Sequence, residues 1–378
     1  MKSQAHQQIR KRASMFLHLE GGELIFDLTG SSWNLSEKQR EWAKRLLNSE
    51  FEFEESCETT PREILQLSAE LNALGAIVSS NVDESGSFLP NRVDIETVRH
   101  CNAQCVYCPQ SVQRKSKAVM PMKVYEAVLE RLRGYRCDWV ALNHYGEPLL
   151  DPAFEERVVK LYKERLPLYL FTNATLLSQG RIEFIKEQNL HGVGFNFPSM
   201  REDEWVSLMQ LPARWFRSAR DGIIQFLEAT EGRVPVEILV NAPTANHSQR
   251  VKEVREYFRQ FGEVNVLQWR SHSRAGAIKG KFVDQVGAHS QQKFAGCERI
   301  SGHLHVSWEG KAFLCCNDYS QKIVLGDLNR SSIKEIMESH YVRRLRSQIY
   351  GSEPMSSSLI CRSCVRIRKG RICTERHQ

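Results

Sequence analysis

From Asn91 to about position 285, short apolar segments alternate with longer amphipathic ones, six of each in order. Strands are read at 93–97, 139–143, 168–172, 192–197, 236–240 and 264–269, with helices starting near Pro121, Asp151, Arg181, Arg201, Ser218 and Gln249. Strands separated by helices pair in parallel, because each parallel neighbour requires a crossover that a tight turn cannot make. Six such units predict an α/β domain built as a partial (βα)6, TIM-like barrel. At Asp151–Pro152 the sequence itself suggests a helix start. Asp accepts free N-terminal amides, and Pro occupies the first helical position without wasting an N–H.

The flanks follow other rules. Residues 1–90 read as a small α+β unit, extended over 23–28 and helical over about 36–48 and 61–74, the second helix closing on Gly75. A linker rich in Ser, Gly and Asp follows over 81–90. Beyond about 286 the alternation stops, and a hairpin (304–308 and 311–316 about Gly310), a helix over 331–348 and a cysteine-bearing loop make a third unit. The expected division is thus 1–90, 91–285 and 286–378.

Composition excludes several classes. The 378 residues contain no apolar run of eighteen and no signal segment, so a cytoplasmic protein without a membrane partner is expected. Eleven cysteines are an odd number and too few for a disulfide scaffold, and several stand at metal-ligand spacings. A net charge of +7 is mild, and the basic tail (Arg362, Arg366, Arg368, Lys369, Arg371, Arg376) lacks interleaved aromatics, so nucleic acid is not an expected partner.

Directly after the first barrel strand stand Cys101, Cys105 and Cys108 in a C-x3-C-x2-C run. Three thiolates on one loop can each hold an iron of a cubane and leave the fourth iron open. A zinc site is the other reading, but zinc prefers four tetrahedral ligands, commonly as two separated pairs. The run resembles the defining motif of the radical S-adenosylmethionine (SAM) superfamily, and the resemblance covers residues 91 to about 370. It implies a 4Fe–4S cluster whose open iron chelates the methionine of SAM, an electron passed to the sulfonium, and hydrogen abstraction from an unreactive C–H bond. It further implies that Tyr107 packs on adenine. Gly146, Glu147 and Pro148 resemble that family's GGEP motif, with Tyr145 in place of the first glycine, so Glu147 would receive the methionine ammonium. Glu147 is also placed to answer the dipole of the next helix, though the GEP context favours the ligand reading. Thr172 and Asn173, and Asn196 to Ser199, stand where relatives contact ribose and the methionine carboxylate, although such residues also serve in turns. Arg270 opens the segment 270–277, which resembles an RAG segment of peptide-modifying members; its Arg274 suits a carboxylate or a solvated loop.

Cys297, Cys315, Cys361 and Cys364 are the candidates for a second metal centre. Their setting resembles SPASM and twitch modules, the single-cluster twitch form above all, since only Cys373 follows Cys364. One auxiliary 4Fe–4S cluster is implied; Cys316 or Cys373 could replace one of the four, and a zinc ribbon is the alternative. Cys57 and Cys137 have no partner in sequence and suit inert packing, with Cys137 the one leftover thiol considered as a hydrogen donor.

These readings predict a radical SAM oxidoreductase or maturase served by a reductase or flavodoxin-type electron donor. The N-terminal unit resembles, weakly, the winged-helix leader-recognition domain of ribosomal peptide maturases, which would make the substrate a peptide; a packing role is the other reading. The alternative substrate is a small molecule, a sugar or aminocyclitol undergoing dehydrogenation or epimerisation.

Overall fold

The computed structural model describes residues 11–13, 17–20, 23–26, 31–47, 61–74, 76–79, 90–113, 115–135, 137–242, 246–280, 283 and 296–364. The closing Gly75, the linker 81–89, Cys57, Cys373 and the basic tail beyond Cys364 lie outside them.

The N-terminal segment forms β1 (Lys11–Ala13), β2 (Leu17–Glu20), β3 (Glu23–Phe26), β4 (Ser31–Asn34), α1 (Glu37–Leu47), α2 (Arg62–Ala73) and β5 (Ile77–Ser79). β2, β3 and β4 make an antiparallel meander with β4 at one edge, and β1 pairs with β5. Trp42, Ala43 and Leu46 of α1 join Ile64, Leu67 and Leu71 of α2 in a shared apolar core with Leu24 and Phe26.

The central segment alternates, except that two helices lie between its fourth and fifth strands: β6 (Arg92–Ile95), α3 (Met122–Leu132), β7 (Trp139–Ala141), α4 (Phe154–Lys163), β8 (Leu168–Thr172), α5 (Gln179–Lys186), β9 (Leu190–Asn196), α6 (Glu202–Met209), α7 (Ala213–Thr230), β10 (Val236–Ala242), α8 (His247–Phe258) and β11 (Asn265–Arg270). The six strands pair in parallel in sequence order. One detail differs. Asp151 does not cap α4, because a 3-10 turn at Pro148–Leu150 intervenes and Ala153 is the residue before the helix. Asp151 instead accepts from the Ala153 amide at 2.9 Å and holds the buried Arg157 at 2.9 Å.

The third segment is less separate than its sequence suggests. After α9 (Glu298–Gly302), strand β12 (His303–Val306) adds in parallel to β6, and β13 (Lys311–Phe313) and β14 (Val324–Asp327) continue antiparallel. One nine-stranded sheet, β11-β10-β9-β8-β7-β6-β12-β13-β14, therefore spans both segments. The helix expected over 331–348 is two, α10 (Ile333–Met337) and α11 (His340–Ile349). Each starts on its own serine cap, Ser332 accepting from the Glu335 amide and Ser339 from the Val342 amide, which breaks the run.

Alternation gives the parallel sheet two unlike faces. Val93, Ile95, Val140, Leu168, Leu170, Val193, Ile238 and Val240 are fully buried on one face. Sequential right-handed crossovers place the helices on that same side. The opposite face carries Asp94, Trp139, Tyr169, Phe171, Gly194 and Glu237, polar or aromatic and largely half-buried. A side chain at Gly194 would stand 2.9 Å from the Phe171 ring, so glycine there lets Tyr169 and Phe171 stack at 4.4 Å.

Candidate functional site

The cysteine loop leaves the C-terminal end of β6 and is pinned from three directions. Its Gln104 and Val106 amides donate to the Met209 and Leu208 carbonyls at the end of α6 (3.2 and 2.9 Å). Its His100 carbonyl accepts from the Glu147 amide at 3.0 Å. A Cβ on Gly146 would lie 2.0 Å from the Val98 carbonyl oxygen, so the loops after β6 and β7 pack backbone to backbone only because position 146 is glycine.

Cys105 is 8% exposed. The three thiols lie close enough that charge on Cys108 raises both Cys101 and Cys105, adding to the larger effect of burial; Cys101 is pushed up to about 12. Thiols that are buried, as Cys105 is, or half-buried, as Cys101 and Cys108 are, are costly as bare thiolates, and a bound iron centre removes that cost. Donors already point at sulfur: the Ala103 amide (3.4 Å) and Asn173 Nδ2 (3.7 Å) reach Cys101 Sγ. The donor set therefore fits the cluster implied by the sequence.

Glu147 links the second and third strand ends. Its carboxylate accepts from Thr172 Oγ1 (2.6 Å), the Asn173 amide (2.9 Å) and the Leu149 amide (3.2 Å). It is 3% exposed, and burial pushes its pKa up to about 6 against the opposing pull of these donors. Neutral donors position the carboxylate, and a cationic group arriving there would relieve the burial cost. Asn173 Nδ2 also donates to Asn102 Oδ1 (2.8 Å), while Asn102 Nδ2 donates to Thr175 Oγ1 (2.8 Å). Asn196 Nδ2 donates to the Tyr107 hydroxyl (3.0 Å) and to Met209 Sδ (3.3 Å), beside Cys105, whose thiol donates to Met209 Sδ at 3.5 Å. Thus Tyr107, Gly146, Glu147, Pro148, Thr172, Asn173 and Asn196 gather around the cysteine loop.

Two expected residues stand elsewhere, and a third is placed only by its strand. Ser199 donates to Glu204 Oε2 (2.5 Å) and accepts from the Arg201 amide, so its hydroxyl serves the start of α6. Arg270 ends β11. Cys137 precedes β7, whereas the cysteine loop leaves the other, C-terminal end of the neighbouring parallel strand β6. The structure does not bring Cys137 to the cysteine loop, and nothing in it supports a hydrogen-donor role there.

The second cysteine set also converges. Cys361 is influenced by Cys297 and Cys364, and Cys315 by Cys316, Cys361 and Cys364, after burial as the main cause of their raised pKa values. Asn317 Nδ2 donates to Cys364 Sγ (3.1 Å), and the Tyr350 hydroxyl donates to the Cys297 carbonyl (3.2 Å). Cys316 points its sulfur at Arg299, whose Nη1 donates to it at 2.8 Å. Cys297, Cys315, Cys361 and Cys364 thus suit a four-thiolate centre, with Cys316 held by a guanidinium instead.

A buried ionic junction between the two sets was not foreseen. Glu96, after β6, pairs with Lys115, approaches His144 Nδ1 (3.6 Å) and accepts from Gln321 Nε2 (2.7 Å). Burial works to raise its carboxyl, but bonding to His144 and the Lys115 charge prevail and hold it at about 2. His144 Nε2 faces the Cys316 carbonyl at 3.2 Å. The signal in the sequence was Glu96 near the end of the strand read at 93–97.

Residues 95–257 match the model of the radical SAM superfamily, and residues 297–365 match the SPASM iron–sulfur cluster-binding domain. A curated relative, the S-adenosyl-L-methionine-dependent 2-deoxy-scyllo-inosamine dehydrogenase of Niallia circulans, is 29% identical over 277 residues, 72% of this chain and 91% of its own. Among solved structures, Streptococcus suis SuiB bound to precursor peptide SuiA has a TM-score of 0.55 at 13% identity, covering 89% of this chain and 90% of SuiB. Native anSMEcpe with bound AdoMet and Cp18Cys peptide gives 0.50 at 17%, covering 70% and 83%. These structures share the α/β fold with a mostly parallel sheet. No helix among the described residues is long and apolar enough to cross a membrane. A radical SAM domain uses SAM and a 4Fe–4S cluster, and a SPASM domain binds auxiliary iron–sulfur. This chain is a radical SAM enzyme of the SPASM/twitch type.

Proposed function

We propose that the enzyme is an oxidoreductase that matures a ribosomally made peptide by oxidation, cross-linking or epimerisation. The observation carrying this reading is the N-terminal edge strand β4, beside which Trp33, Leu35, Glu63, Leu67 and Glu70 line a groove. An extended peptide can add to such an edge through main-chain hydrogen bonds, its side chains entering the groove. The glutamates favour a basic segment.

In this reading Cys101, Cys105 and Cys108 hold the first cluster, and Glu147 receives the methionine ammonium. Thr172 and Asn173 fix the Glu147 carboxylate, while Tyr107 and Asn196 shape the adenine side. Cys297, Cys315, Cys361 and Cys364 hold one auxiliary cluster. When bound, SAM and its cluster supply a one-electron reductive cleavage that ends in hydrogen abstraction from substrate. The chain's own part is to seat the cofactor, exclude water and present the substrate between the two cysteine sets. A flavodoxin-type or reductase donor and a reducing cytoplasmic setting accord with nine free cysteines among the described residues.

The dehydrogenase relative favours a second reading, oxidation of a sugar or aminocyclitol. Incubating the reduced, SAM-loaded protein with a candidate precursor peptide separates the two. A changed peptide mass supports the first reading; deoxyadenosine release with the peptide unchanged would falsify it for that peptide and turns attention to aminocyclitols.

A further inference from the structure

On the sheet face opposite the helices, β6 and β12 bring three metal-binding side chains together, none of them a cysteine. Asp94 and His305 are register partners, and alternation directs His303 to the same face. One ligand atom from each of Asp94, His303 and His305 lies within 4.8 Å of the others. His305 Nδ1 is 2.9 Å from Asp94 Oδ2. His305 is completely buried, and its Nε2 has no hydrogen-bond partner among the described residues. However the ring is turned, one nitrogen can face the carboxylate while the other goes unsatisfied, a cost that an aliphatic strand residue would avoid.

We propose that Asp94, His303 and His305 bind one first-row divalent transition cation, of the zinc or iron(II) class. Imidazole and carboxylate together suit such ions, whereas magnesium and calcium take oxygen ligands. Donors on one such ion stand about 3 to 3.5 Å apart, so the site closes by side-chain rotations of roughly an ångström. Three protein donors leave at least one coordination position for water on the half-buried face. The ion would also join β12 of the C-terminal segment to β6, the strand that leads into the cysteine loop. No thiol takes part, so the site is chemically distinct from the iron–sulfur centres.

The test uses the protein with its iron–sulfur sites loaded, so that its cysteines are occupied. After anaerobic dialysis against limiting zinc, zinc and iron per chain are measured by mass spectrometry of the elements. One zinc per chain beyond the iron is expected in the wild type, with at least a tenfold loss in His303→Ala and His305→Ala and no loss of iron. Substituting cobalt while the clusters are oxidised and EPR-silent is expected to give a high-spin cobalt signal that the same variants lose. Asp94→Asn keeps the side-chain shape and is expected to weaken zinc affinity about 10- to 100-fold; it decides the matter should a histidine variant fold poorly. No retained zinc in the wild type, or unchanged zinc affinity in Asp94→Asn or in the double histidine variant, overturns the assignment.

Discussion

Tyr145 and Cys316 are 171 residues apart in sequence, yet the Tyr145 hydroxyl donates to the Cys316 carbonyl at 2.8 Å. Tyr145 follows the second parallel strand, and Cys316 follows a cysteine of the second set. Its ring also packs edge-on to Tyr319 at 5.1 Å and lies under the Arg274 guanidinium at 5.8 Å. One side chain therefore fastens the cofactor loop to the auxiliary loop. Tyr145→Phe keeps the ring and removes the bond, so stability is expected to fall by about 0.5–1.5 kcal/mol. Deoxyadenosine formation should persist while product per deoxyadenosine drops. Equal losses of both in a coupled assay would show that Tyr145 acts on the cofactor side alone.

Glu147 gives a pH-dependent prediction. Its folded pKa of about 6 lies above its ordinary value, so the folded state binds the extra proton between roughly 4.5 and 6. Its contribution to the stability of the cofactor-free protein should therefore improve as pH falls through that window, by about 2 kcal/mol, and Glu147→Gln should flatten this dependence. Binding of SAM should follow the opposite trend, weakening below about pH 6 as the carboxylate is neutralised. Denaturant melts and equilibrium dialysis at pH 5 and 7.5 check the two signs.

Glu96 has the reverse linkage. A carboxyl held at about 2 contributes stability that is complete above its ordinary pKa and is lost as pH falls from about 4.5 toward 2. Glu96→Gln leaves Lys115 buried without its counter-charge, which is expected to cost about 3–5 kcal/mol in urea unfolding. A loss under 1 kcal/mol would mean that His144 and Gln321 suffice to hold the junction.

The two cysteine sets should separate cleanly. Anaerobic reconstitution is expected to give about eight irons per chain for two cubane clusters. Cys361→Ala should keep about half of them and still release deoxyadenosine, whereas Cys105→Ala should release none. Deoxyadenosine from Cys105→Ala would sink the assignment of the first site.

Local rules carried the reading of the central segment a long way. Each of the six parallel strands lies where apolar runs were read, because a strand buried on one face under helices has little freedom in composition. The cysteine loop was legible for the same reason, as three thiols within eight positions have few uses. What stayed hidden depends on long-range pairing. Nothing local tells that β12 adds to β6, so Asp94 and His305 were unconnected in the sequence. Likewise Glu96, Lys115 and His144 are ordinary polar residues until three loops meet. Asp151 shows the limit of capping rules: its carboxylate answers an amide as expected, but a 3-10 turn moves the helix start to Phe154.

Because β12 hydrogen-bonds directly to β6, the auxiliary segment cannot swing away as a hinged lid without tearing a ladder of main-chain bonds from the strand that feeds the cysteine loop. The position of Cys315, two residues beyond β13, relative to the cysteine loop after β6 is consequently set by sheet geometry and not by a linker. Any rate of electron transfer between them should be insensitive to viscosity, and substrates must enter past the loops instead of waiting for domains to part.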